Sequence, residues 1–126
     1  MIYRYSRNVY PPAPTVEVTF VAAAENLRVG PLPVFVDTGA DGTIVPVSYL
    51  NEIRAPTTTE MSIRSQWGER RRVLLYLVDV RIGGVTLPGI EVVGDEVSDE
   101  IVLGRDVLNR LRMLLNGPEE TTEILE

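Results

Sequence analysis

Apolar and polar residues alternate over Thr15–Phe20 (TVEVTF), the period of a strand with one face covered. The stretch Pro31–Asp37 (PLPVFVD) is instead a short apolar run that ends on an acid, which predicts a strand buried on both faces. A turn at Thr38-Gly39 follows, and Gly42–Pro46 (GTIVP) resumes as a second strand. Pro46–Ile53 (PVSYLNEI) predicts a short helix with proline near its first turn. Beyond it, extended character on both sides of Trp67-Gly68 predicts a hairpin with its tip there, and Gly83-Gly84 between two β-rich runs predicts another.

Towards the end of the chain, Ile101–Leu103 (IVL) is a strand stopped by Gly104. Arg105–Arg112 (RDVLNRLR) carries Leu108 and Leu111 one helical turn apart. Leu108, Leu111, Leu114 and Leu115 are expected in the core. The tail Arg112–Glu126 fits a last hairpin around Asn116-Gly117. Residues 1–14 hold three prolines without a clean period and are expected to form an arm, leaving residues 15–126 as one domain. No internal repeat or linker interrupts this mostly-β pattern.

Composition narrows the chemistry more than it fixes the fold. At 126 residues and 44% hydrophobic, the chain has the apolar content for one modest core. A net charge of −6 argues against nucleic acid or anionic membrane as the main partner. No apolar run is long enough to span a bilayer, and the start lacks the apolar centre of a signal peptide, so a cytoplasmic setting is expected. With neither cysteine nor histidine, thiol nucleophiles, thiolate zinc sites, Ser-His-Asp triads and the common zinc-hydrolase sites are all excluded. Acid–base chemistry near neutral pH then falls mainly to carboxylates.

Asp37 therefore draws attention, because an ionised acid at the end of an apolar strand is costly unless something uses or pairs it. Two segments stand out together: Val34–Asp41 (VFVDTGAD) and Ile101–Asp106 (IVLGRD), each an apolar triplet running into a glycine-containing turn. On these segments the chain resembles the retropepsins, the retroviral-type aspartic peptidases, and by order of elements the resemblance extends over residues 15–115. It implies a mostly-β, closed or partly open barrel, one lobe per chain, with a short C-terminal helix.

The resemblance implies that Asp37, Thr38 and Gly39 form the catalytic loop. Two such carboxylates share one proton; the ionised one takes a proton from water while the neutral one holds the scissile carbonyl. Only one Asp-Thr-Gly occurs, so a dyad requires a homodimer with one Asp37 from each chain. Ala40 and Asp41 are then expected to contact an extended polypeptide substrate. Phe35, Ile44 and Val102 would border its side-chain pockets, and Trp67 and Gly68 would sit in the flap. Gly104 and Arg105 are expected as structural support, Arg105 pairing with Asp41. No metal and no other cofactor is implied.

Blander readings exist for each residue. Asp37 could cap a turn, as aspartate before Thr-Gly commonly does. Trp67 could cover a neighbouring strand face, and Arg70–Arg72 read best as a solvated face, with an anion-steering patch as the minority view. Two other functions compete with the peptidase. One is a silent module that uses the same fold for binding or dimerisation. The other is phosphoryl chemistry with Asp37 and Asp41 on a hard metal, which lacks a phosphate-cradling loop.

Overall fold

The computed structural model describes residues 1–64 and 68–125. Its elements run β1 (Ile2–Arg4), β2 (Thr15–Ala22), β3 (Leu27–Val36), β4 (Ile44–Pro46), α1 (Val47–Glu52), β5 (Thr57–Arg64), β6 (Arg70–Ile82), β7 (Val85–Asp95), β8 (Val102–Leu103), α2 (Arg105–Leu108), β9 (Arg112–Asn116) and β10 (Thr121–Leu125). Seven strands pair in the order β2-β3-β8-β4-β7-β6-β5, and β2 also pairs with β6. Six strands thus form a circuit of neighbours, with β5 hanging outside it. The smaller sheet, β1-β10-β9, joins the two ends of the chain.

Strand β6 is the spine, bonding to β5, β7 and β2 along its thirteen residues. Its Val78, Val80 and Ile82 are buried at period two, Val18 and Phe20 of β2 stand opposite Ile82 and Val80, and Val16 joins the same core. Leu50 and Ile53, on α1 and just after it, close this core together with Leu103 and Val107. Each fully buried side chain of this kind contributes about 1.5–3 kcal/mol of transfer free energy. Pro46 precedes the first turn of α1, as its sequence predicts. The β6–β7 hairpin turns through Gly83-Gly84, where Gly83 takes a positive φ of 59° that other residues rarely adopt.

Three expectations change. The apolar run before Asp37 is not buried on both faces: Val34 is fully buried, while Phe35 and Val36 are half-covered and Pro31 and Pro33 are exposed. The helical segment after Gly104 keeps a single turn, α2, because the chain turns away at Asn109–Leu111 to enter β9. Leu108 and Leu111 pack against the core, but Leu114 and Leu115 are roughly half exposed on β9, the edge strand of the smaller sheet. The last hairpin forms as expected, with Asn116 opposite Thr121. Within the first fourteen residues, β1 is hydrogen-bonded to β10. Among the described residues, no helix is long and apolar enough to cross a membrane.

Candidate active site

The site grows out of the end of β3 and the two short strands β8 and β4 that lie beside it. Phe35 of β3 stands opposite Val102 of β8, which stands opposite Ile44 of β4, which stands opposite Val93 of β7. The neighbours Val34, Leu103 and Val45 are fully buried and face the core. Because successive side chains alternate across a strand, Phe35, Val102 and Ile44 face the other way and are only half covered. Asp37, two residues beyond Phe35, follows the same alternation.

The parallel pairing of β3 with β8 extends to the acid itself. Phe35 donates its backbone N–H to Ile101 O at 2.9 Å, and Asp37 donates to Leu103 O at 3.1 Å. The chain then reverses: Ala40 N–H reaches Asp37 O at 3.2 Å, and Gly39 N–H donates to Asp37 Oδ1 at 2.9 Å. That last bond orients the carboxylate. It is also what a plain turn-capping aspartate would make, so it does not separate the two readings. The surroundings bear more on the choice. Asp37 is exposed, and among the described residues no cation pairs with it. The expected cost of burying this acid does not arise within one chain.

Behind the loop lies a tight backbone contact. A methyl on Gly104 would sit 2.5 Å from the carbonyl carbon of Gly42 and 3.0 Å from Ala40 O, so only glycine lets β8 pass so close. Arg105 N–H donates to Ala40 O at 2.9 Å, and its guanidinium donates to Thr38 O at 2.8 Å and to the Asp41 carboxylate. The Asp41 side chain is 94% exposed, so this ion pair shapes the loop more than it stabilises the fold.

Two residues not singled out in the sequence do the internal fastening. Thr43 is fully buried; its N–H donates to Asp106 Oδ2 at 3.1 Å and its hydroxyl to Asp106 Oδ1 at 2.8 Å. The same hydroxyl accepts the Gly104 N–H at 3.1 Å, while Asp106 Oδ1 also accepts the Val107 N–H at 2.9 Å. One carboxylate thereby ties the segment after Asp-Thr-Gly to the start of α2. The available signal was that the two motifs together hold three aspartates, Asp37, Asp41 and Asp106, but sequence alone does not say which acid faces inward.

The structure therefore brings Phe35, Asp37, Thr38, Gly39, Ala40, Asp41, Ile44, Val102, Gly104 and Arg105 into one corner. Gly68 lies apart from these contacts, at a positive φ of 83° in the β5–β6 connection with open space around it. Trp67 lies outside the described residues.

The sequence pattern of a family described as "gag-polyprotein putative aspartyl protease" matches residues 26–110, which include both strands and turns of this corner. The chain belongs to this retropepsin-like family. Comparison with curated proteins gives no match. Among solved structures, a retropepsin-like aspartic protease from Rickettsia conorii is similar with a TM-score of 0.66 at 15% identity, over 98% of this chain and 88% of that one. The EIAV protease, solved with the inhibitor HBY-793, is similar with a TM-score of 0.59 at 19% identity, over 83% and 92%. At such identities the likeness establishes the retropepsin fold, and family membership supports peptidase activity at the level of the family.

Proposed function

We propose that this retropepsin-like chain is an aspartic endopeptidase that works as a homodimer, with one Asp37 from each copy. The observation that carries the reading is an exposed carboxylate, held by its own turn, left without a cation among the described residues and set beside a half-covered apolar row. A single carboxylate cannot be base and acid in one step. Two at a symmetry axis can share one proton.

In the proposed reaction, the ionised Asp37 removes a proton from water, whose oxygen attacks the scissile carbonyl carbon. The protonated Asp37 of the partner subunit gives its proton to the carbonyl oxygen, forming a tetrahedral diol. Collapse breaks the C–N bond, with a proton passing to the departing amine. Thr38 and Gly39 hold the carboxylates in place, and Ala40 and Asp41 meet the substrate backbone. Phe35, Ile44 and Val102 receive apolar side chains. Substrate would lie as an added strand, drawing affinity from main-chain bonds and selectivity from alternate pockets. Trp67 and Gly68 belong to the covering hairpin in this reading, and Gly104 and Arg105 support the loop. The setting proposed for this chemistry is the cytoplasm, in keeping with a cysteine-free chain.

The test is cleavage of a peptide library across pH by the wild type and Asp37→Asn, with and without a statine-type inhibitor, whose hydroxyl mimics the diol. Cleavage that is lost in Asp37→Asn and blocked by the inhibitor supports the proposal. Cleavage by Asp37→Asn at the wild-type rate, or by a strict monomer in sedimentation, contradicts it.

A further inference from the structure

The outer end of the β5–β6 hairpin carries a charge pattern that the peptidase reading leaves unused. Four of the twelve arginines fall between residues 64 and 72, against Glu60 and Glu69 nearby, in a chain whose net charge is −6. Arg64 stands directly opposite Arg70, and Arg72 opposite Ser62, so three arginines share one face of the hairpin. Arg72 is neutralised by Glu60 at 3.6 Å, and Arg71, on the other face, reaches Asp95 at 3.5 Å. Arg64 and Arg70 have no acidic partner among the described residues and are exposed. Like charges directly opposed across two strands destabilise a hairpin, so this pair costs the fold something in isolation. On the other face, where Ile63 stands opposite Arg71, lies a shallow hollow of about 290 Å³ whose lining also includes Glu69 and Arg70.

We infer that Arg64 and Arg70 form a recognition patch for an acidic polypeptide segment, so that substrates carry glutamate or aspartate next to an apolar stretch. An incoming carboxylate relieves the Arg64–Arg70 repulsion and gains charge-assisted hydrogen bonds from a planar donor fork. The half-covered row Phe35, Val102 and Ile44 suits a segment that mixes apolar with acidic residues. A nucleic acid fits less well: its regularly spaced phosphates would extend past the hairpin onto a molecule of net negative charge. The assignment of this segment to substrate rests on the peptidase reading; the patch itself does not.

The test uses the whole chain described above carrying Asp37→Asn, which on the peptidase reading holds peptide without cutting it, and fluorescence anisotropy. The probes are a short labelled peptide with an apolar centre and glutamates on one side, the same peptide with glutamines, and a single-stranded oligonucleotide. The glutamate peptide is expected to bind about 5-fold more tightly than the glutamine peptide at low salt, with the advantage shrinking as salt rises. That advantage disappears when Arg64→Gln and Arg70→Gln are added, but persists with Arg28→Gln and Arg81→Gln, which make the same change in net charge elsewhere. The hairpin substitutions remove a repulsion, so the melting temperature should hold or rise, which separates lost recognition from lost folding. Equal loss in both double variants, tighter binding of the oligonucleotide, or weakened self-association on changing Arg64 and Arg70 overturns the patch. Cleavage of both peptides by the wild type without a glutamate preference sinks the patch and leaves the peptidase standing. Arginine-dependent binding without any cleavage does the reverse.

Discussion

The Asp-Thr-Gly corner and the outer end of the β5–β6 hairpin are both exposed, yet they are built in opposite ways. In the corner, backbone from β3, β8 and the start of α2 crosses within hydrogen-bond distance, Gly104 removes every spare atom, and Thr43 with Asp106 fastens the node from inside. In the hairpin, β5 is an outermost strand with nearly every residue exposed, and its charges lean on solvent and on weak pairs. A reacting carboxylate has to be placed to a fraction of an ångström, and only over-determined backbone does that. Selection among flexible partners tolerates looser placement, and screened charges on a hairpin suffice for it. On the proposed reading, chemistry sits on over-determined backbone and recognition on a loose edge of the same small sheet.

The sharpest way to break this comparison is to change chemistry without changing structure. Asp37→Asn should lower peptide cleavage by about 10³-fold or more, while the melting temperature stays within a degree or two, because the exposed side chain carries no packing. A large fall in melting temperature would make Asp37 structural instead. Removing the inner fastener should do the opposite. Asp106→Ala leaves the buried Thr43 N–H and hydroxyl without their acceptor and should cost about 2–3 kcal/mol, read from urea unfolding, whereas Asp106→Asn, which keeps one acceptor, should cost about 1 kcal/mol. Gly104→Ala forces the Gly42 backbone to move and should cost about 1–3 kcal/mol in the same measurement.

Between these extremes lies Arg105→Ala. The pair with Asp41 is open to water and is worth about 1 kcal/mol or less, so stability should barely move. Loss of the bond to Thr38 O should nevertheless loosen the Asp-Thr-Gly turn, and on the peptidase proposal kcat should fall more than KM changes. The smallest effect concerns the far end of the molecule. Burial, with a lesser push from Glu17, raises the Tyr3 phenol above its ordinary value, against an opposing hydrogen bond with the Gly83 backbone. Since the folded chain favours the neutral phenol, that stabilisation is complete below the ordinary tyrosine range and is lost as pH rises through the raised value. Stability of the wild type should therefore fall more steeply at alkaline pH than that of Tyr3→Phe.

Much of the corner was legible because its two motifs spell out local backbone: an apolar strand, an acid, and a glycine where chains touch. Alternation also located β2, and glycines between extended runs located the β5–β6 and β6–β7 hairpins, while the β2–β3 hairpin that turns at residues 23–26 was not read. Two of the three misreadings share one cause. Apolar composition does not reveal which face a neighbour covers, so Phe35 and Val36 read as buried, and Leu114 and Leu115 read as core, although β9 is an edge strand among the described residues. Thr43 and Asp106 went unnoticed because a fastening hydrogen bond between residues sixty-three apart leaves no periodic trace.

The central claim is that reactivity is a property of two chains and not of one. Wild-type protein mixed at equilibrium with increasing amounts of Asp37→Asn protein, at constant total concentration, reads this directly as initial cleavage rate. The proposed pairing predicts activity falling as the square of the wild-type fraction, since every mixed pair is dead. A strictly linear fall, with each wild-type copy cutting regardless of its neighbour, would contradict it.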